Sequence, residues 1–357
     1  MIVGLYKLMK VDKDKGTNLV LTSISGKDEL PFKMAPLIFL STVISHFFGA
    51  SVGREGAALQ LGGSLGNTIG ESFGFRECDR KILIMTGMSA AFSALFGTPA
   101  AAAVFAVEVA VIGTMYIQAL LPCVIAAYTA SRLPLAIGIK PERLPLGNVP
   151  DMSFVLILKL VVLAGLCGVL AIVFCVVMKK TKKYSEKLIK NPWLRVVAGA
   201  AVFIGITALT RSTDYYGTGM NVIERAVTEG EAVPYAFALK LVLTALMLGV
   251  GFKGGEIVPT FFVGATFGCV IGKLLGISPG LAAAAGMASL FCGVTNCPFA
   301  AAIMCFELFG FESAPYILIV TAISYAVSGY CSLYSGQYCD VSKYSLKMGD
   351  TGENTDN

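Results

Sequence analysis

Two carboxylates stand in glycine-rich breaks that each open an apolar helix. Glu55 lies in Gly53-Arg54-Glu55-Gly56-Ala57-Ala58 and Glu256 in Gly255-Glu256-Ile257-Val258-Pro259-Thr260. A helix N-terminus presents unpaired N–H groups and the positive end of the helix dipole, so residues 55–58 and 257–260 offer two places where an anion is held. A glutamate in such a place is itself an anion. It can fill the site and block it, and protonation lets the side chain swing out, so one residue couples a proton to an anion by competing for one site. An ionisable group inside a membrane segment marks an ion pathway by default; the alternative for Glu55 is a structural carboxylate paired with Arg54 or another basic neighbour. Glu256 is a second such carboxylate, suited to proton transfer or, when protonated, to donating a hydrogen bond to an ion. Its alternative is a salt bridge with Lys253 or Arg54.

The elements that must position these residues are membrane helices. The chain of 357 residues is 55% hydrophobic and 14% charged, with a mean hydropathy of +0.74. The apolar runs 35–50, 81–97, 114–131, 153–178, 194–209 and 234–250 are long enough to span a bilayer. The segments 54–72, 99–112, 258–274 and 295–309 read as short and interrupted by Gly or Pro, which a membrane protein tolerates only where protein or a water-filled cavity covers the freed backbone. The fold class predicted is an all-α polytopic membrane protein. The net charge of +5 gives no reason to expect nucleic acid. The basic run Lys179-Lys180-Thr181-Lys182-Lys183, followed by Lys187 and Lys190, belongs on the cytoplasmic side, with an anionic-lipid or regulatory role as the other reading. Ten cysteines lie mostly in apolar segments and read as small buried hydrophobes, with no disulfide or metal framework. The single histidine, His46, reads as a packed or locally bonded residue. No cleavable signal peptide, nucleophile–base pair or cofactor motif is visible, which argues against an enzyme and leaves no cofactor or metal to expect. The last residues, Met348–Asn357, read as a polar, disordered tail.

The two halves repeat. At an offset of 202, Gly53, Gly62, Gly66 and Gly70 fall on Gly255, Gly264, Gly268 and Gly272. At an offset of 199, Gly87-Met88-Ser89-Ala90 answers Gly286-Met287-Ala288-Ser289, Phe92 answers Phe291, and Pro99 with Glu108 answers Pro298 with Glu307. The organisation expected is an N-terminal segment 1–34, a first membrane repeat 35–131, connecting helices and loops 132–233, a second repeat 234–338 and a polar tail 339–357. Transporter repeats of this kind are commonly inverted and bind substrate at their interface. Glu108 and Glu307 read as capping or ion-paired groups rather than proton carriers.

The segment GREGAALQLGGSLG resembles the GREGP signature of the CLC chloride channel and transporter family. GGEIVPTFFVGATFG resembles that family's GxFxP segment, Asp214–Asn221 its glycine-rich loop before a short helix, and Cys331–Ser335 the place of its pore-lining tyrosine. The resemblance covers about residues 16–338 and implies a homodimer with one anion pathway in each subunit, within a multi-pass protein of the cytoplasmic (plasma) membrane. It implies an anion site at Arg54, Gly56, Ala57, Ile257 and Val258, with Tyr334 offering a hydroxyl from the inner side; a plain interfacial tyrosine is the competing reading of Tyr334. The family's GSGIP motif is matched only by Gly16-Thr17-Asn18-Leu19, so Thr17 and Asn18 are either substitute donors or an ordinary turn. Val109 stands where the family's chloride/proton antiporters carry an inner glutamate. The missing serine, the missing inner glutamate and the extra Glu256 are similar to the fluoride/proton antiporter branch, which exports fluoride. The alternatives are a chloride channel or chloride/proton antiporter, and a truncated, non-transporting fragment, because two helices that precede GSGIP in the family are not in this sequence.

Overall fold

Proline and glycine punctuate the helices. In the computed structural model, which describes residues 1–11, 15–147, 149–339 and 342–344, the helices are α1 (Ile2–Leu8), α2 (Thr17–Ile24), α3 (Met34–Phe47), α4 (Glu55–Ser72), α5 (Glu77–Phe96), α6 (Pro99–Glu108), α7 (Leu120–Ala130), α8 (Arg132–Ala136), α9 (Phe154–Leu188), α10 (Pro192–Thr210), α11 (Met220–Glu224), α12 (Ala236–Val250), α13 (Ile257–Leu275), α14 (Pro279–Thr295), α15 (Pro298–Phe309) and α16 (Ala314–Val327). Pro99 and Pro298 open α6 and α15, where a missing N–H costs nothing. The turn before each is the same: Gly97 and Asn296 are left-handed, and the following Thr98 and Cys297 share φ −118°, with ψ 75° and 76°. Two short strands, Val111–Ile112 and Tyr338–Cys339, pair in parallel. The expected tail, from Met348 on, lies outside the described residues.

The segments 54–72 and 258–274 are not interrupted. α4 runs unbroken for 18 residues and α13 for 19. Their glycines are notches rather than breaks: a Cβ on Gly62 would stand 2.1 Å from the Gly87 carbonyl oxygen, and one on Gly268 2.2 Å from that of Ala282. α4 thus lies backbone to backbone on α5, and α13 on α14, as small residues permit between membrane helices. In these two segments the irregular backbone is confined to the residues just before α4 and α13. Among the described residues, four stretches are long and apolar enough to cross a membrane: Ile117–Ala136, Phe154–Leu188, Pro192–Thr210 and Ile257–Leu275. The expected spans 35–50 and 234–250 give α3 with 14 residues and α12 with 15, about 21–23 Å of helix against a hydrocarbon core of about 30 Å.

Equivalent positions of the two halves bond to each other. Gly53 and Gly255 form an antiparallel bridge, each N–H donating to the other's carbonyl at 2.7 and 2.9 Å. The Glu108 carboxylate accepts from the N–H groups of Phe299 and Ala300 at the start of α15, and the Glu307 carboxylate accepts from Ala100 and Ala101 at the start of α6. Each pair of equivalents runs antiparallel, as a two-fold axis between the halves requires.

One face carries the basic ends. Ser185, beyond the lysine run of α9, donates to the Gly249 carbonyl at the end of α12, and Lys15 pairs with Asp28 at 2.7 Å. Asp28 shares a cleft with Glu71, Arg80 and Lys81. The positive-inside rule makes this the inner face.

Candidate functional site

The residues that open α2, α4 and α13 meet. A Cβ on Gly56 would lie 3.0 Å from the Thr17 hydroxyl and 3.1 Å from the Gly255 Cα, so only glycine allows the closest approach of the three segments. Glu55 is the first residue of α4 and is fully buried. Its Oε1 accepts the N–H of Val258 in the first turn of α13. Its Oε2 is buried without a hydrogen-bond partner, folded against the backbone of Gly53 and Gly255. A carboxylate therefore fills the helix N-terminus, where an anion would sit. Gly56, Ala57, Ile257 and Val258 are buried around it.

Below this plug a cavity of about 250 Å³ opens toward the inner face. Thr17, Asn18, Glu256 and Tyr334 line it together with Gln60, and Lys179, Lys182 and Lys253 stand at its mouth. Unlike Glu55, Glu256 is only half-buried. Tyr334 is 2% exposed on a loop that Asn18 fastens, its Oδ1 accepting from the Gly336 N–H at 2.8 Å. Asn18 is thus engaged in holding the tyrosine loop. Val109 is buried, and its carbonyl accepts from the Gln337 amide.

Arg54 is not brought to this cavity. Its side chain turns to Glu142 at 3.3 Å, in the loop after α8, on the far side of the Glu55 plug. Burial holds the Glu142 carboxyl above its ordinary value, and the Arg54 guanidinium draws it part of the way back. On that side His46 Nε2 contacts the Gly53 carbonyl at 3.1 Å. Lys240, fully buried, donates to the carbonyls of Tyr215 and Gly217 at 3.2 and 2.7 Å and lies 5.2 Å from the centre of the Phe262 ring. It clamps the 214–219 loop against the break. Sequence reasoning passed over Lys240, Glu142 and Gln60. Lys240 carried a signal, a lone lysine in an otherwise apolar helix. Glu142 carried none, because only the fold brings it to Arg54.

Comparison with known proteins gives a consistent answer. A family model described as voltage gated chloride channel matches residues 1–329. A chloride/fluoride channel protein of Pseudomonas syringae pv. tomato is 37% identical over 350 residues, 96% of this chain and 77% of the relative. The voltage-gated ClC-type chloride channel ClcB of Escherichia coli is 27% identical over 304 residues, 81% and 71% of the two chains. The crystal structure of a CLC-type fluoride/proton antiporter superposes with a TM-score of 0.90 at 34% identity, over 95% of this chain and 86% of that one. A slow cyanobacterial Cl−/H+ antiporter, at 19% identity, shares the fold with a TM-score of 0.79, over 92% of this chain and 81% of that one. The chain is an all-α, multi-pass integral membrane protein and belongs to the voltage gated chloride channel (CLC) family of channels and antiporters.

Proposed function

We propose that this protein exchanges fluoride for protons across the plasma membrane, as a homodimer with one pathway in each subunit. The observation that carries the reading is the Glu55 carboxylate bonded to the Val258 N–H at the start of α13, where it stands in for the transported anion. Protonation of Glu55 converts the competitor into a neutral acid that releases the N–H group and leaves the site. Fluoride then enters from the inner cavity, past Glu256 and Tyr334. Its strong hydration demands strong donors in exchange for water, and the helix N–H groups, the Thr17 hydroxyl and a protonated Glu256 are of that kind. Fluoride leaves to the outer side, the acid gives its proton up to the inner cavity by way of Glu256, and the returning carboxylate closes the site, so protons enter as fluoride leaves. The fluoride assignment is supported by the names of the relative at 37% identity and of the antiporter structure at 34% identity. The dimer is supported by the exposed apolar side chains Leu121, Ile125, Phe299 and Leu318 on α7, α15 and α16.

The E. coli ClcB relative favours chloride as the second reading. Proteoliposomes loaded with fluoride or chloride, with internal pH followed in parallel, separate the two. The expected result is fluoride efflux coupled to opposing proton movement. Chloride efflux at an equal or greater rate would sink the fluoride assignment.

A further inference from the structure

Beside the ion pathway, on the inner face, lies a second cavity of about 530 Å³ between α1, the ends of α9 and α12, and the start of α10. It is lined by Tyr6 and Lys7, by Lys182 and Glu186, and by Arg195 and Lys253, so four cations face one carboxylate. Arg195 holds the Val250 carbonyl at 3.4 Å and the Lys253 ammonium sits 4.6 Å from the centre of the Tyr6 ring. Lys7 and Lys182 have no ion pair among the described residues. Among the described residues that line it, cations outnumber carboxylates four to one.

The surroundings say what covers it. Beside the cavity, α10 exposes Trp193, Leu194 and Val197 at 45%, 59% and 65%, and Lys7 lies 5.9 Å from the Trp193 ring centre. A tryptophan beside lysines, leading onto a bare apolar helix face, is the arrangement of the membrane–water interface. Basic pockets between helices on the cytoplasmic side bind phosphate-bearing headgroups. A ligand with a phosphate at one end and acyl chains at the other would meet both halves of this surface.

We propose that this cavity is a binding site for the phosphate of an anionic phospholipid of the inner leaflet. Lys182 and Lys253 line both this cavity and the inner mouth of the ion pathway. A bound headgroup therefore neutralises part of the charge that draws halide to the mouth, and the lipid is a regulator of anion entry. The site stands whichever halide is carried.

The test uses the purified full chain in detergent. Retained lipid is read by mass spectrometry of the intact protein after incubation with phosphatidylglycerol, with phosphatidylcholine of the same acyl chains, or with inorganic phosphate. Phosphatidylglycerol should be retained about 25-fold more than phosphatidylcholine, since each cation near an anionic surface adds roughly a fivefold preference and Lys7 and Lys182 together supply two such factors. The preference should fall several-fold in Lys7→Gln and further in Lys7→Gln/Arg195→Gln. The Lys7 side chain makes no hydrogen bond among the described residues, so the single variant keeps the test open if loss of the Arg195 contact weakens the protein. Equal retention of the two lipids, or an unchanged preference in Lys7→Gln, overturns the proposal. Retention of inorganic phosphate without phosphatidylglycerol overturns the lipid assignment and makes the cavity a soluble-phosphate site.

Discussion

Glu55 has to bind well enough to close the pathway and poorly enough to leave it. Its two oxygens divide those tasks. Oε1 takes the Val258 N–H, while Oε2 is buried without a partner, and an orphaned buried acceptor costs roughly 1–3 kcal/mol. Glu55→Gln keeps a carbonyl for Val258 but cannot titrate. Proton movement coupled to halide should fall about a hundredfold or more, with the variant still folded; coupled flux at the wild-type rate in proteoliposomes would end the gate assignment. On the outer side, burial raises the Glu142 carboxyl above its ordinary value, so the fold favours its neutral form more than the unfolded chain does. That contribution is complete at acid pH and is lost as pH rises through the carboxyl's range and above. Glu142→Gln stays neutral throughout, so its unfolding temperature should gain on the wild type as pH rises from acid to neutral, and a constant difference would refute the argument. Glu55 and Glu256 were legible in the sequence because a carboxylate in an apolar stretch announces itself. Arg54 is expected at the anion site; its pairing with Glu142, 88 residues away, is not legible because its neighbours in sequence say nothing of it.

Glycine does different work in different helices, and the contrast is measurable. A Cβ on Gly62 would meet the Gly87 carbonyl oxygen at 2.1 Å, whereas one on Gly165 in α9 would meet nothing within 4 Å. Gly62→Ala must push α4 off α5 and should cost about 1–3 kcal/mol or more. Gly165→Ala should be neutral or stabilising by up to about 1 kcal/mol, through the better helix propensity of alanine. Thermal unfolding of the two variants in detergent checks both, and equal midpoints would contradict the notch. The four-residue glycine spacing is legible as a repeat shared by the two halves, but not as a seam between helices. That α4 and α13 are continuous is not legible either, because a seam glycine and a helix-breaking glycine look alike until the partner backbone is in place.

The orientation of the whole molecule can be read from one thiol. Among the described cysteines only Cys78 is exposed, at the start of α5 next to Arg76 and Asp79, on the face that carries the basic end of α9. A membrane-impermeant thiol reagent should label Cys78 in inside-out vesicles and leave right-side-out vesicles unlabelled; the reverse pattern would invert the topology. The repeat itself was visible in the sequence through Gly53 and Gly255, but its antiparallel pairing lies in hydrogen bonds that join distant residues. The reciprocal caps add a matter of timing. The N–H groups of Ala100 and Ala101 are bonded by Glu307, 207 and 206 residues further along the chain. At a ribosomal pace of about 5–20 residues per second, the first half is made roughly 10–40 seconds before its cap exists. For that interval a newborn chain already in the bilayer carries open polar groups and must be sheltered by the insertion machinery. Biogenesis of this protein therefore has a point of no return: the emergence of Glu307.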